Sequence, residues 1–213
     1  MERTAEKYIK KKAKEEGIRL PDNYESCLQK YYDITEKYGY KLVFRAGRGL
    51  NINSLNANAG FGNMSIIATP EFAYQLIAHY SDELNTKILI TLGHEFTHKD
   101  GNDLFPFNSK YIFIKNGFKF VNWVNEVHAD YGAVKKMFNC SRNKLIGNFE
   151  YKLKHKKEDF EDCSHPSNYR RREYVINYDF DEKLIRKIAE DTGMINQKLL
   201  TFTMNHFEKI ILN

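Results

Sequence analysis

The chain has 213 residues, of which 42% are hydrophobic and 14% aromatic, and this composition excludes a largely disordered protein. Its 33 basic residues exceed the 28 acidic ones only slightly, so the formal charge is +5, and we expect no nucleic-acid partner. Lysine-rich stretches at 7–14 and 152–157 are interleaved with or followed by acidic residues, a pattern typical of solvated helix faces.

The cysteines and the first residues bear on the cellular compartment. Cys27, Cys140 and Cys163 are odd in number, widely spaced and without a CxxC pair, which favours a reducing compartment over a disulfide framework. The first residues lack the apolar run of a secretion signal, and no apolar run approaches the roughly 20 residues that span a bilayer. We therefore expect a cytoplasmic protein without a transmembrane segment.

Two helices followed by two strands are predicted in the first third of the chain. Residues 2–15 are helix formers that precede a glycine, and 24–38 form a Tyr-rich amphipathic stretch that also precedes one. Residues 41–45 and 64–69 have the composition of strands, and Pro70 after the second can open a further helix.

The next helix carries the most informative motif of the chain, HExxH. Ser81 or Asp82 can cap this helix. Apolar residues recur along it at helical spacing: Leu84, Ile88, Leu92 and Phe96. Positions i and i+4 share one helix face, so His94 and His98 can bind one metal ion from a single rigid element. Glu95 points to the same open side and can take a proton from a water that the metal activates.

A second strong helix, at about 122–138, can supply the third metal ligand. Glu126 and Asp130 lie one turn apart on a common face. Glu126 can bind the metal, while Asp130 can accept the free N–H of a histidine ligand. The small residues Ala129 and Ala133 would let the two helices approach closely. Two imidazoles and one carboxylate predict an open tetrahedral site for one Zn²⁺ per chain.

These motifs resemble those of the HtpX and CAAX prenyl endopeptidase family of zinc metallopeptidases, a gluzincin group. HExxH is followed here by Glu-x-x-Ala-Asp at 126–130. Residues 56–59 and the strand 64–69 look like the edge-strand region of the family. Ser-His-Pro-Ser at 164–167, with Arg171 behind it, looks like its His-Pro segment and following arginine. The resemblance covers roughly 56–178 of the chain.

The resemblance implies a zincin-like α+β fold, mostly helical, with a small sheet whose edge strand (about 64–69) flanks the active-site helix. Because no repeat or low-complexity linker interrupts the chain, we expect a single domain, 1–213. It would comprise an N-terminal helical segment (1–39), a metal-binding core (40–140) and a C-terminal helical part (141–213). Helices of that last part are predicted to start near Pro166, Asp181 and Asn196.

The resemblance also implies roles for two residues far from HExxH. In the family, the distal histidine and arginine lie near the metal and are thought to assist the oxyanion, because a donor aimed at the developing negative charge lowers the barrier. His165 and Arg171 would be the corresponding catalytic residues. From the residues alone, His165 could instead be a helix N-cap ahead of Pro166, and Arg171 an exposed residue of a basic helix.

We therefore expect a zinc-dependent endopeptidase that cleaves protein or peptide substrates, with the peptide extended along the strand 64–69. Better-known HtpX relatives are tied to membranes, but this chain has no spanning segment, so membrane substrates are not implied. One alternative is a regulatory peptidase of the ImmA/IrrE kind, which combines HExxH with a Glu-x-x-Ala helix and cleaves a repressor. The other is a non-catalytic, zinc-containing binding module, although a structural site has no use for Glu95.

Two further residues have competing interpretations. Cys163, two residues before His165, could block the metal as a latency switch, but we favour a buried thiol. His128 is two positions from Glu126 and therefore projects to another side of the helix, so we interpret it as a surface or packing histidine.

Overall fold

The structure is a computed structural model that describes residues 1–45, 57–59, 65–100, 103–104, 113–137, 141–155 and 159–211. Within these residues the chain is mostly helical with a small mixed sheet, which confirms the α+β class. It divides into two compact units, Met1–Phe96 and Thr97–Asn213. The boundary falls within one unbroken helix, and the single-domain organisation stays a prediction.

Turn and cap residues mark helix ends in the first unit. Their bounds are α1 Arg3–Glu15, α2 Gln29–Lys37 after a 3-10 turn at Tyr24–Leu28, α3 Pro70–Ala78, and α4 Asp82–Lys99, which continues past the unit boundary. Gly17 and Gly39 follow α1 and α2 with φ of 67° and 79°, the left-handed conformation that terminates helices. Thr69 caps α3 by accepting from the backbone N–H of Phe72.

The sheet of the first unit has the order β1-β3-β2, from strands Lys41–Phe44, Ala57–Ala59 and Ser65–Ala68. Strand β3 pairs parallel with β1 and antiparallel with β2. The prediction that 64–69 is an edge strand is therefore wrong, since β3 is the central strand of the described sheet. Its run Ile66-Ile67-Ala68 is buried without alternation, as in strands covered on both faces. At these positions both edges of β3 are paired, which leaves no place for an extended substrate there.

Phe96, inside the HExxH motif, anchors helix α4 in the first unit. Its ring is fully buried and stacks on Tyr38 and Tyr40, with centroids 4.6 and 5.9 Å away. Two stacking contacts to a fully buried ring restrain the rotation of the helix about its axis. This rotation sets the direction in which the neighbouring motif residues project.

The second unit is built around one long buried helix. Its helices are α5 Gly117–Lys136, α6 Arg142–His155, α7 Asn168–Asn177, α8 Glu182–Thr192 and α9 Gln197–Ile211. Helix α5 begins five residues before the predicted start at 122, and Phe120 and Val121 are therefore helical and buried in the core of this unit. In the described part of the chain, no helix has the length and apolar character needed to cross a membrane.

The N-terminus of α7 decides one open question about His165. Ser167 is the N-cap residue, and its hydroxyl accepts from the backbone N–H of Arg170. The interpretation of His165 as the cap is therefore wrong. His165 lies two residues before the cap, in a loop whose position is set by other contacts.

Candidate metal centre

Helices α4 and α5 bring the three predicted ligands together. His94 and His98 lie one turn apart near the end of α4, and Glu126 lies in the middle of α5. One potential ligand atom from each of the three residues lies within 4.8 Å of the others. The described residues thus contain a group able to hold a metal ion, as the sequence predicted.

The surroundings of His98 favour positive charge. Its Nε2 is 3.4 Å from Glu126 Oε1, and its Nδ1 is 2.7 Å from Asp103 Oδ2. Burial alone would lower the pKa of His98, but the hydrogen bonds and charges of Asp103 and Glu126 outweigh it and hold the pKa well above its ordinary value. The two carboxylates that favour an imidazolium here would also favour a metal cation bound to the neutral ring.

Asp103 is a site residue that the sequence analysis missed. A carboxylate that holds the second ring nitrogen of a metal ligand fixes its tautomer and orientation. The segment is itself held in place by buried Asn125, whose side chain donates to the carbonyl of Leu104 at 2.7 Å and accepts from its N–H at 2.9 Å. The available signal was an acid five residues after His98, in a turn-forming Asp-Gly-Asn-Asp stretch.

Replacing Asp103 by asparagine is expected to weaken metal binding about 10- to 100-fold. The amide keeps the shape of the carboxylate but removes the charge that orients and polarises His98. Metal affinity can be measured by competition with a chromogenic chelator. Asp179→Asn, at a surface aspartate that pairs with Arg142, is the control and should bind like wild type. Equal affinities of the two variants would contradict the role of Asp103.

Arg171 joins two carboxylates beside the triad. Its guanidinium donates through Nε and Nη2 to the two oxygens of Asp130, and its Nη1 lies 3.5 Å from Glu126 Oε2. Arg171 and Asp130 are both buried, so the interpretation of Arg171 as an exposed residue is wrong. Such a buried pair is strongly coupled, because removing either partner leaves an uncompensated charge. The predicted contact of Asp130 with a histidine ligand stays a prediction.

His165 and Glu95, the other predicted catalytic residues, differ in exposure. His165 Nε2 is 3.5 Å from Glu126 Oε1, and its side chain is 58% exposed. It is thus close to the triad and open to solvent. Glu95 is buried and follows His94 directly on α4.

Thr97 in the last turn of α4 lies directly against Gly132 of α5. A Cβ atom built at Gly132 would lie 2.2 Å from Thr97 Oγ1 and 2.8 Å from Thr97 Cβ, far inside contact distance. The sequence predicted a close approach at Ala129 and Ala133, which lie on either side of Gly132 in α5. Only a glycine allows the backbone of α5 to lie this close to the HExxH helix.

Neither His128 nor Cys163 belongs to the triad among the described residues. His128 is buried between the rings of Phe180 and Phe207, and burial lowers its pKa to about 3, so it stays neutral. Its Nδ1 has no hydrogen-bond partner among the residues that the structure describes, which fits a packing histidine. Cys163 is exposed, so the prediction of a buried thiol is wrong; it lies in a surface loop.

The candidate metal ligands His94, His98 and Glu126 thus lie together with the charged side chains of Asp103 and Arg171. No protein-family model matches this chain, and no curated protein and no solved structure matches it either.

Proposed function

We propose that this protein is a zinc-dependent endopeptidase with a zincin-like fold. The observation that carries the proposal is the triad of His94, His98 and Glu126, with ligand atoms within 4.8 Å of one another and Glu95 adjacent on the same helix. A triad of metal ligands alone is compatible with many functions. A buried acid beside its first histidine can act as the general base for attack of water on a peptide bond.

The donor set favours zinc, at one ion per chain. Two imidazoles and one carboxylate are ligands that zinc prefers, whereas calcium and magnesium prefer oxygen donors. Among the described residues the group has three members, and His165 is not one of them despite its proximity to Glu126. Three protein ligands with one position left for water are typical of catalytic rather than structural zinc sites.

The residues of the site have distinct roles in this proposal. Zinc, when bound, polarises the peptide carbonyl and lowers the pKa of water. Glu95 takes a proton from the attacking water and passes it to the leaving amine. His165 donates a hydrogen bond to the oxygen that gains negative charge. Arg171, engaged with Asp130, keeps Glu126 oriented from its other side.

Metal content provides the direct test. Wild-type protein is expected to purify with about one zinc per chain, whereas Glu126→Ala should lose zinc because one of three ligands is gone. Glu150→Ala, at a surface glutamate of α6 that pairs with Arg172, is the matched control and should retain zinc. Elemental analysis after dialysis against a weak chelator measures all three proteins.

Proteolysis assays on the same three proteins distinguish an endopeptidase from a non-catalytic binding module. For an endopeptidase, wild type and Glu150→Ala should cleave an unfolded protein such as reduced casein, and Glu126→Ala should not. Zinc binding without cleavage of any polypeptide would favour the binding module. Equal zinc content in wild type and Glu126→Ala would contradict the proposed centre itself.

A further inference from the structure

The loop that carries His165 closes on one carboxylate. Asp162 Oδ1 accepts from the backbone N–H groups of Ser164 and His165, at 2.6 and 2.8 Å. The backbone N–H of Asp162 in turn donates to the carbonyl of His165 at 3.0 Å. These three bonds form a tight turn, and an aspartate is well suited to accept the two N–H groups.

This turn is fixed to helix α5 one helical turn before Glu126. The indole N–H of Trp123 donates to the carbonyl of Asp162 at 2.9 Å, and the amide of Asn122 donates to the carbonyl of Cys163 at 3.2 Å. Trp123 is fully buried, so its indole is a rigid anchor. The same helix therefore holds both the metal ligand Glu126 and the turn that presents His165.

The imidazole of His165 depends on this turn for its orientation. Its side chain is 58% exposed, with Nε2 3.5 Å from Glu126 Oε1 and Nδ1 3.9 Å from Asp162 Oδ1. A half-exposed side chain is held weakly by packing, so the backbone conformation and the nearby carboxylate determine where it points. A small loss of position matters, because a donor stabilises developing charge only at hydrogen-bond distance.

We propose that Asp162 is a positioning residue for His165, which fixes the turn and directs Nε2 of the imidazole toward the Glu126 side of the metal centre. The inference rests on the proposed function, because it assigns His165 its task in peptide hydrolysis. Asp162 acts through His165 and does not contact substrate in this proposal. Its effect is therefore expected on kcat rather than on KM.

Two substitutions of Asp162 test whether its hydrogen-bond-accepting oxygen, rather than another property of the side chain, determines kcat. Asp162→Ala removes the acceptor of both N–H groups and is expected to lower kcat about 10- to 100-fold, with KM and zinc content unchanged. Asp162→Asn keeps an oxygen that can accept both bonds and should restore kcat to within about threefold of wild type. Glu161→Ala, at the neighbouring loop acid that pairs with Arg170, is the control and should leave kcat unchanged.

A double-mutant cycle shows whether the effect passes through His165. In a His165→Ala background, Asp162→Ala should lower kcat no further, because the group it positions is gone. An equal additional loss in that background would overturn the proposal, as would wild-type kcat in Asp162→Ala alone. A loss in Asp162→Ala that asparagine does not restore would overturn the assigned role of the acceptor.

One readout is independent of proteolysis. The amide protons of Ser164 and His165 should exchange slowly with solvent in wild type and Asp162→Asn, and quickly in Asp162→Ala. Slow exchange in all three proteins would overturn the turn-closing role of Asp162. If wild type shows this exchange pattern but cleaves no polypeptide, the proposed function fails while the structural basis of the positioning stands, so the two failures are distinguishable.

Discussion

Replacing Glu95 by glutamine is expected to lower peptidase activity about 10²- to 10⁴-fold, while zinc stays bound at one ion per chain. Glutamine has nearly the shape of glutamate, so the buried position next to His94 remains filled. It cannot accept a proton from water, however, so the proton transfer proposed for Glu95 would be lost. Because Glu95 is not a member of the ligand triad, metal binding should be unaffected.

The measurement is incubation of wild type and Glu95→Gln with a whole proteome, followed by sequencing of the new N termini. Glu83→Gln is the control, since Glu83 is an exposed acid on the first turn of the same helix and pairs with Lys87. Wild type and control should produce the same new termini, and Glu95→Gln none. A single cleaved protein would favour a regulatory peptidase of the ImmA/IrrE kind, and many would favour a broad endopeptidase. The same termini from Glu95→Gln would contradict the mechanism.

Replacing Gly132 by alanine is expected to destabilise the protein by about 3 kcal/mol and to weaken zinc binding. The new Cβ atom would lie 2.2 Å from Oγ1 and 2.4 Å from Cγ2 of Thr97, and both helices would have to move apart. Thr97 directly precedes His98, so this movement separates His98 from Glu126. One methyl group is thus expected to disturb the stability and the metal centre together.

Chemical denaturation and zinc titration of wild type and three variants check this prediction. Gly147→Ala is the matched control, because a Cβ atom at this position in α6 meets nothing within 4 Å. It should raise the free energy of unfolding by about 0.5 to 1 kcal/mol, as alanine does in helix interiors. Adding Thr97→Ala to Gly132→Ala should restore part of the lost stability, since it removes the two closest atoms. Wild-type stability of Gly132→Ala would show that the helices tolerate a wider separation.

Local features of the chain were predictable because neighbouring residues determine them. Gly17 and Gly39 end the first two helices through a left-handed backbone, as their positions predicted. Helix α8 starts where a helix was predicted, and Asp181 caps it through bonds to the backbone N–H groups of Lys183 and Leu184. These arrangements depend on interactions between residues close in sequence, and sequence patterns carry that information directly.

The strand order and the partners of the charged groups were not predictable in the same way. Strand β3 was expected at an edge but lies between β1 and β2, because pairing joins segments that are distant in the chain. The contact of Asp130 with a histidine stays a prediction, and its bond to Arg171, 41 residues away, was not expected from the sequence. The strand order and the bond between Asp130 and Arg171 both depend on which distant segments pack against each other. A single sequence does not carry this information directly.

By itself, the sequence determined the metal-binding motif of this protein. Helical spacing places His94 and His98 on one face whatever surrounds them, and the chemistry of a third ligand singled out Glu126. Only the tertiary structure shows which residues support that centre. These are Asp103, which is bonded to His98, Gly132, which packs against Thr97, and Asp162 in the turn before His165. The physical reason is that spacing within a helix is set by local backbone geometry, whereas a supporting contact exists only after distant segments have packed against each other.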